Sequence, residues 1–161
     1  MRPRPPAPDL LQTIAEYGAG LSAEIALLRQ LDRLSRRQHQ ASKGDDMAAM
    51  SGVTSERERL LASLVTLEEQ LRPQRAVLAA NVASARLTPG FADVLARHRE
   101  AGALVSTIMS TDRTTLEQLR SAEQRRRDTA HALETGEATL AAYRRVVAPA
   151  LSSVGLLDRR G

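Results

Sequence analysis

The sequence predicts an all-α fold: an elongated helical hairpin or coiled coil with a third long helix packed alongside. Three observations carry this. Ala and Leu, strong helix formers, number 26 and 23 in 161 residues against 12 Val plus Ile, and strands favour β-branched and aromatic side chains. Aromatics are nearly absent, with Phe91, Tyr17 and Tyr143 and no Trp, so aliphatic side chains must fill the core. Apolar residues recur in steps of three and four through three long stretches, the period of one helix face.

Residues 1–8, with four prolines among them, predict a disordered leader. Residues 9–148 read as a single helical domain and 149–161 as a flexible tail. The first helix opens at Asp9, an N-cap residue type, and places Leu10, Ile14, Tyr17, Leu21, Ile25, Leu28, Leu31 and Leu34 on one stripe. Gly18 and Gly20 predict frayed or bent early turns. Lys43-Gly44-Asp45-Asp46 then reads as a stop at Gly44 in left-handed geometry followed by a new N-cap. That turn predicts an antiparallel hairpin.

The second helix, 46–85, has the cleanest pattern: Met50, Val53, Arg57, Leu60, Leu64, Leu67, Leu71, Gln74, Leu78 and Asn81 form a heptad seam. Pro73 within it predicts a kink or a break. Thr88 and Pro89 read as the N-cap and first position of a third helix, running through Phe91, Val94, Leu95, Val105, Ile108, Leu116 and Leu119 to end before Pro149. From Leu116 onward its seam carries polar residues at almost half its positions, including Glu123, Arg126, Glu137 and Arg144. Such a seam packs poorly.

Chemistry-bearing motifs are few. With no Cys there are no disulfides, no thiol nucleophile and no Cys-type zinc site. Gly18-Ala-Gly20-Leu-Ser-Ala23 spells a dinucleotide fingerprint, but it needs a strand before it and here a helical stripe lies on both sides. His39, His98 and His131 stand apart with no Glu-x-x-His spacing. Acid pairs such as Glu68-Glu69 lack a pocket to shift their pKa. No catalytic residue, metal site or cofactor is assigned, and the expectation is a protein that is not an enzyme. Arg36-Arg37, Arg125-Arg126-Arg127, Arg144-Arg145 and Arg159-Arg160 are basic clusters in a chain of net charge +4, but acids are interspersed and no aromatics are available for base stacking. Nucleic acid is not an expected partner on this reading. Neither a signal-peptide core nor an apolar run long enough for a membrane span is present, so the expected location is cytoplasmic.

Leu133, Leu140, Tyr143, Val147 and Leu151 form an apolar stripe on the polar part of the third helix. Two readings stand side by side: a loosely packed surface helix, or a face kept for a helix of another protein.

The run Glu24-Ile-Ala-Leu-Leu-Arg-Gln-Leu31, the Lys43 to Met47 turn, Glu56-Arg-Glu-Arg-Leu-Leu-Ala-Ser-Leu64 and Leu67-Glu-Glu-Gln-Leu71 resemble the FlgN family of flagellar export chaperones. Asp112 to Leu119 and Gly136 to Tyr143 are similar to the way such proteins end, and the resemblance covers roughly residues 20–147. It implies a cytosolic chaperone that binds the helical C-terminal regions of hook-filament junction proteins and escorts them to the export apparatus. The C-terminal helix is the binding element in that family, which maps onto the Leu133 to Val147 stripe. The competing readings are a structural coiled-coil adaptor that oligomerises through the Leu60 to Leu78 seam, and an arginine-rich helical nucleic-acid binder.

Overall fold

A computed structural model of the chain describes residues 8–157, with side chains described for 8–146. The fold is all-α: α1 Leu10–Lys43, α2 Met47–Ala80, α3 Val82–Arg86 and α4 Phe91–Leu157, with no strand among the described residues. Of the leader, residues 1–7 lie outside the described residues, as do 158–161 of the tail. α4 runs on through Pro149, before which the sequence reading ends it, to Leu157. The chain divides into two compact units, residues 1–117 and 118–161.

In the first unit α1 and α2 form the hairpin, and α4 residues 91–117 pack against both. Asp9 and Asp46 cap their helices as their residue types predict, Asp9 Oδ1 accepting from Gln12 N at 3.1 Å and Asp46 Oδ1 from Ala49 N at 2.9 Å. The turn between them differs from expectation by one residue. Gly44 stays right-handed at φ −85° and Asp45 takes the left-handed position at φ 54°. Asp is among the few non-glycine residues that tolerate it.

Two apolar clusters fill the unit. Ile14, Tyr17 and Leu21 of α1 meet Leu71 and Leu78 of α2, Ala85 of α3 and Phe91 and Val94 of α4. Nearer the hairpin turn, Ile25, Leu28 and Leu31 meet Ala101 and Ile108, with Leu60, Leu64 and Leu104 packed on them. Each fully buried Leu or Ile contributes about 1.5–3 kcal/mol, so these clusters hold the unit together.

Three local expectations are corrected. Gly18 and Gly20 do not loosen α1, which is continuous through them. A Cβ at Gly20 would collide with the buried Leu71 side chain, and one at Gly18 would lie 2.9 Å from Arg97 Nη1. The glycines are close-approach points between helices. Pro73 does not break α2 either: it lies on the exposed face, where water can take the carbonyl it leaves unbonded. The break falls at Asn81, φ −124°, whose Nδ2 donates to Val77 O at 2.9 Å and so competes with the helical ladder. Finally, α4 starts at Phe91 instead of at Pro89. Thr88 Oγ1 donates back to Ser84 O, and Gly90, at φ +87°, carries the carbonyl that accepts from Val94 N.

Candidate partner-binding surface

The residues singled out from sequence as partner-binding fall in the second unit. Leu133, Leu140 and Tyr143 are 70%, 69% and 66% exposed, far from the burial such side chains reach in a core. Val147 and Leu151 lie on α4, but their side chains are outside the described residues. Every described residue from Glu123 to Val146 is exposed. The helix there is held by its own ladder and by i,i+4 contacts: Arg127 Nε to Glu123 Oε1 at 3.0 Å and Gln124 Nε2 to Asp128 Oδ1 at 2.9 Å. Such pairs contribute only a few tenths of a kcal/mol each. Leu133 and Leu140 are seven residues apart and Tyr143 three further on, one face of a helix. Tyr143 adds a large contact area with a hydrogen-bonding tip. Chemically the surface offers apolar area bordered by charges of both signs, suited to taking up another amphipathic helix.

The first unit contains polar machinery that sequence reasoning missed. Arg57, at a seam position of α2 and 13% exposed, grips Asp112 of α4 in a two-pronged pair, Nη1 to Oδ1 at 2.7 Å and Nη2 to Oδ2 at 2.6 Å. Ser35 of α1, fully buried, accepts from Arg57 Nη1 at 2.5 Å and donates to Asp112 Oδ1 at 2.9 Å. One polar layer thereby ties three helices. Burial pushes the Asp112 carboxyl up, but the hydrogen bonds from Arg57 and Ser35 and the Arg57 charge outweigh it and hold the group below its ordinary value. One turn further along, His39 Nδ1 and Thr115 Oγ1 are 3.1 Å apart.

A second polar knot sits at the other end. Arg75 Nε donates to the buried Tyr17 hydroxyl at 3.0 Å, which is also 3.1 Å from His98 Nε2, and both Arg75 terminal nitrogens hold Glu68. The Arg75 hydrogen bonds lower the Glu68 carboxyl. Glu24 beside it goes the other way, raised by burial first and by the Glu68 charge second. Its Oε2 is buried without a hydrogen-bond partner. A charged residue inside an apolar seam, Arg57, was the one signal in sequence that such a layer exists. Its carboxylate partner lies 55 positions away, beyond the reach of any periodicity.

A cleft of ≈ 390 Å³ between α1 and α4 is lined by Arg36, His39, Gln40, Ser110, Thr111 and Thr114. Arg36 is already bonded to Asp32 and His39 to Thr115. Among the described residues no group of three or more His, Asp or Glu side chains could hold a metal ion, and no helix is long and apolar enough to cross a membrane. No family model, curated protein or solved structure matches the chain.

Proposed function

We propose that the chain is a carrier for amphipathic helices, a cytosolic flagellar export chaperone of the FlgN type, whose client is the helical C-terminal region of a hook-filament junction protein. The observation that carries the docking step is the exposure of Leu133, Leu140 and Tyr143 on a helical unit of their own, while the first unit closes its core without them. The flagellar assignment rests on the sequence resemblance. Self-association through the Leu60 to Leu78 seam is the weaker reading, because those residues are buried or half-buried inside the first unit.

Helix-in-groove recognition concentrates affinity in a few large anchors. Tyr143→Ala should weaken capture of C-terminal fragments of hook-filament junction proteins by roughly ten- to thirty-fold, with unchanged circular dichroism because Tyr143 supports no core. Arg125→Ala, off the stripe, should leave affinity near the parent value. Calorimetric titration distinguishes them, and equal binding by the Tyr143 variant and the parent removes this stripe as the client site.

A further inference from the structure

We propose that the same face also pairs with a second copy of this chain, antiparallel, with Leu133 on the two-fold axis. The inference stands on the register of the exposed helix and is independent of the client reading.

Written as heptads, Arg126, Leu133 and Leu140 share one contact position, and Ala122, Thr129, Gly136 and Tyr143 share the other. Setting Leu133 against Leu133 of an antiparallel copy fixes every other layer. Tyr143 then faces Ala122, Gly136 faces Thr129, and Leu140 lies along the aliphatic stem of Arg126, whose charged head reaches water. Away from the Leu133 layer on the axis, the large Tyr143 meets the small Ala122 and Leu140 meets a flexible stem. Gly136 carries no side chain at this contact position, and its surroundings are open space.

The flanking charges agree with the same alignment. Glu123 comes opposite Arg144, and two-fold symmetry makes that contact twice. Glu123 Oε1 accepts from Arg127 of its own helix at 3.0 Å, and a carboxylate has a second oxygen with which to accept from Arg144 of the neighbour. No flanking position places like charges together. A parallel pairing fails on both counts: it stacks Arg126 on Arg126 and Gly136 on Gly136, and none of its flanking pairs joins an acid to a base. The occupant that fits is therefore an inverted copy of the segment itself. A client helix and the second copy use one face in turn, so the pairing would keep the apolar stripe covered until a client displaces it.

The test uses the full chain without any client. Sedimentation equilibrium from micromolar to millimolar concentration should show reversible assembly to twice 17.5 kDa. Leu133→Asp, which sets two carboxylates against each other on the axis, should hold the chain monomeric with unchanged circular dichroism. Glu123→Arg and Arg144→Glu should each weaken the dimer by roughly ten-fold, and the double exchange should restore it. The absence of native cysteine gives a direct reading of register. Thr129→Cys and Gly136→Cys chains, mixed and oxidised, should cross-link to each other and neither to itself, because disulfides need Cα atoms within about 7 Å and like positions are offset by roughly 10 Å along the axis. A parent chain that stays at 17.5 kDa throughout overturns the pairing, as does a Thr129→Cys self-cross-link or a charge exchange without rescue. A parent chain that stays monomeric and captures client removes the pairing alone, whereas a chain that dimerises and takes up no client even when diluted to the monomer removes the client reading alone.

Discussion

Arg57 shows how a single charged residue can be structural in the interior of a helical unit. Removing either member of its pair with Asp112 leaves the other part-buried without its counter-charge. Fully buried pairs lose roughly 3–5 kcal/mol in this way, and because the Asp112 side chain keeps 37% of its surface in water the cost here should be about 2 kcal/mol. Arg57→Met and Asp112→Leu should each lose that much in urea unfolding, while the double variant should lose less than either, since no orphaned charge remains. Acid dependence follows with opposite signs at two carboxyls. Asp112 sits below its ordinary value, so its stabilisation is present at neutral pH and disappears as pH falls through its folded-state pKa. Glu24 sits above, so its burial costs stability at neutral pH and that cost is relieved as pH falls toward the ordinary carboxylate range. Glu24→Gln should therefore raise the urea midpoint at neutral pH and flatten the profile on the way to acid, with the later Asp112 loss unaffected. An unchanged midpoint at neutral pH would contradict the burial assigned to this carboxyl.

Helix packing is where pattern reading worked best and where its limits are physical. The α1 stripe from Ile14 to Leu34 is buried at all seven of its positions, and every α2 seam position from Met50 to Asn81 is buried or half-buried. Long aliphatic periodicity translates directly into a buried face. On α4 the buried face runs through Val94, Ala101, Ile108 and Thr115, whereas the stripe expected from sequence included Leu95, Val105 and Leu116, which are exposed. Ala101 and Thr115 carry too little apolar signal to mark a face, so the larger exposed neighbours drew the pattern one position aside. The exposure of Leu133, Leu140 and Tyr143 has the converse origin: a stretch in which Glu123, Arg126, Glu137 and Arg144 alternate with apolar residues is not drawn into the core of the first unit. Its polar groups, Ser35 with Asp112 and Tyr17 with Arg75 and His98, depend on contacts between helices that no local spacing encodes. Glycine context gives a test at this scale. Gly52 meets nothing within 4 Å and Gly20 meets Leu71. Gly52→Ala should gain about 1 kcal/mol from helix propensity, whereas Gly20→Ala should lose about 1–2 kcal/mol because overpacking exceeds that gain. Thermal melts of the two variants displaced in the same direction would contradict the close approach of α1 and α2.

The whole molecule divides its labour between a unit that is stable by burial and a unit that is helical by local bonding. Isolated helices are marginal in water, and packing supplies most helix stability in proteins. In the Leu133→Asp chain, where no second copy covers the surface, amides of residues 123–146 should exchange with solvent within seconds to minutes, while those of residues 14–34 report the global unfolding free energy, on the order of 5–15 kcal/mol. Hydrogen exchange followed by mass spectrometry resolves the two, and equal protection would mean that the second unit has a core of its own. The scarcity of aromatic residues has a consequence for watching these events. Trp is absent, and the two tyrosines are divided between the units: Tyr17, 2% exposed, within the first, and Tyr143, 66% exposed, within the second. Intrinsic ultraviolet emission thus comes in two separable parts, one shielded and one open to a soluble quencher such as iodide. The quenchable fraction is a label-free optical gauge of how much of the exposed Tyr143 face is covered, and the resistant fraction reports the integrity of the helical core in the same cuvette.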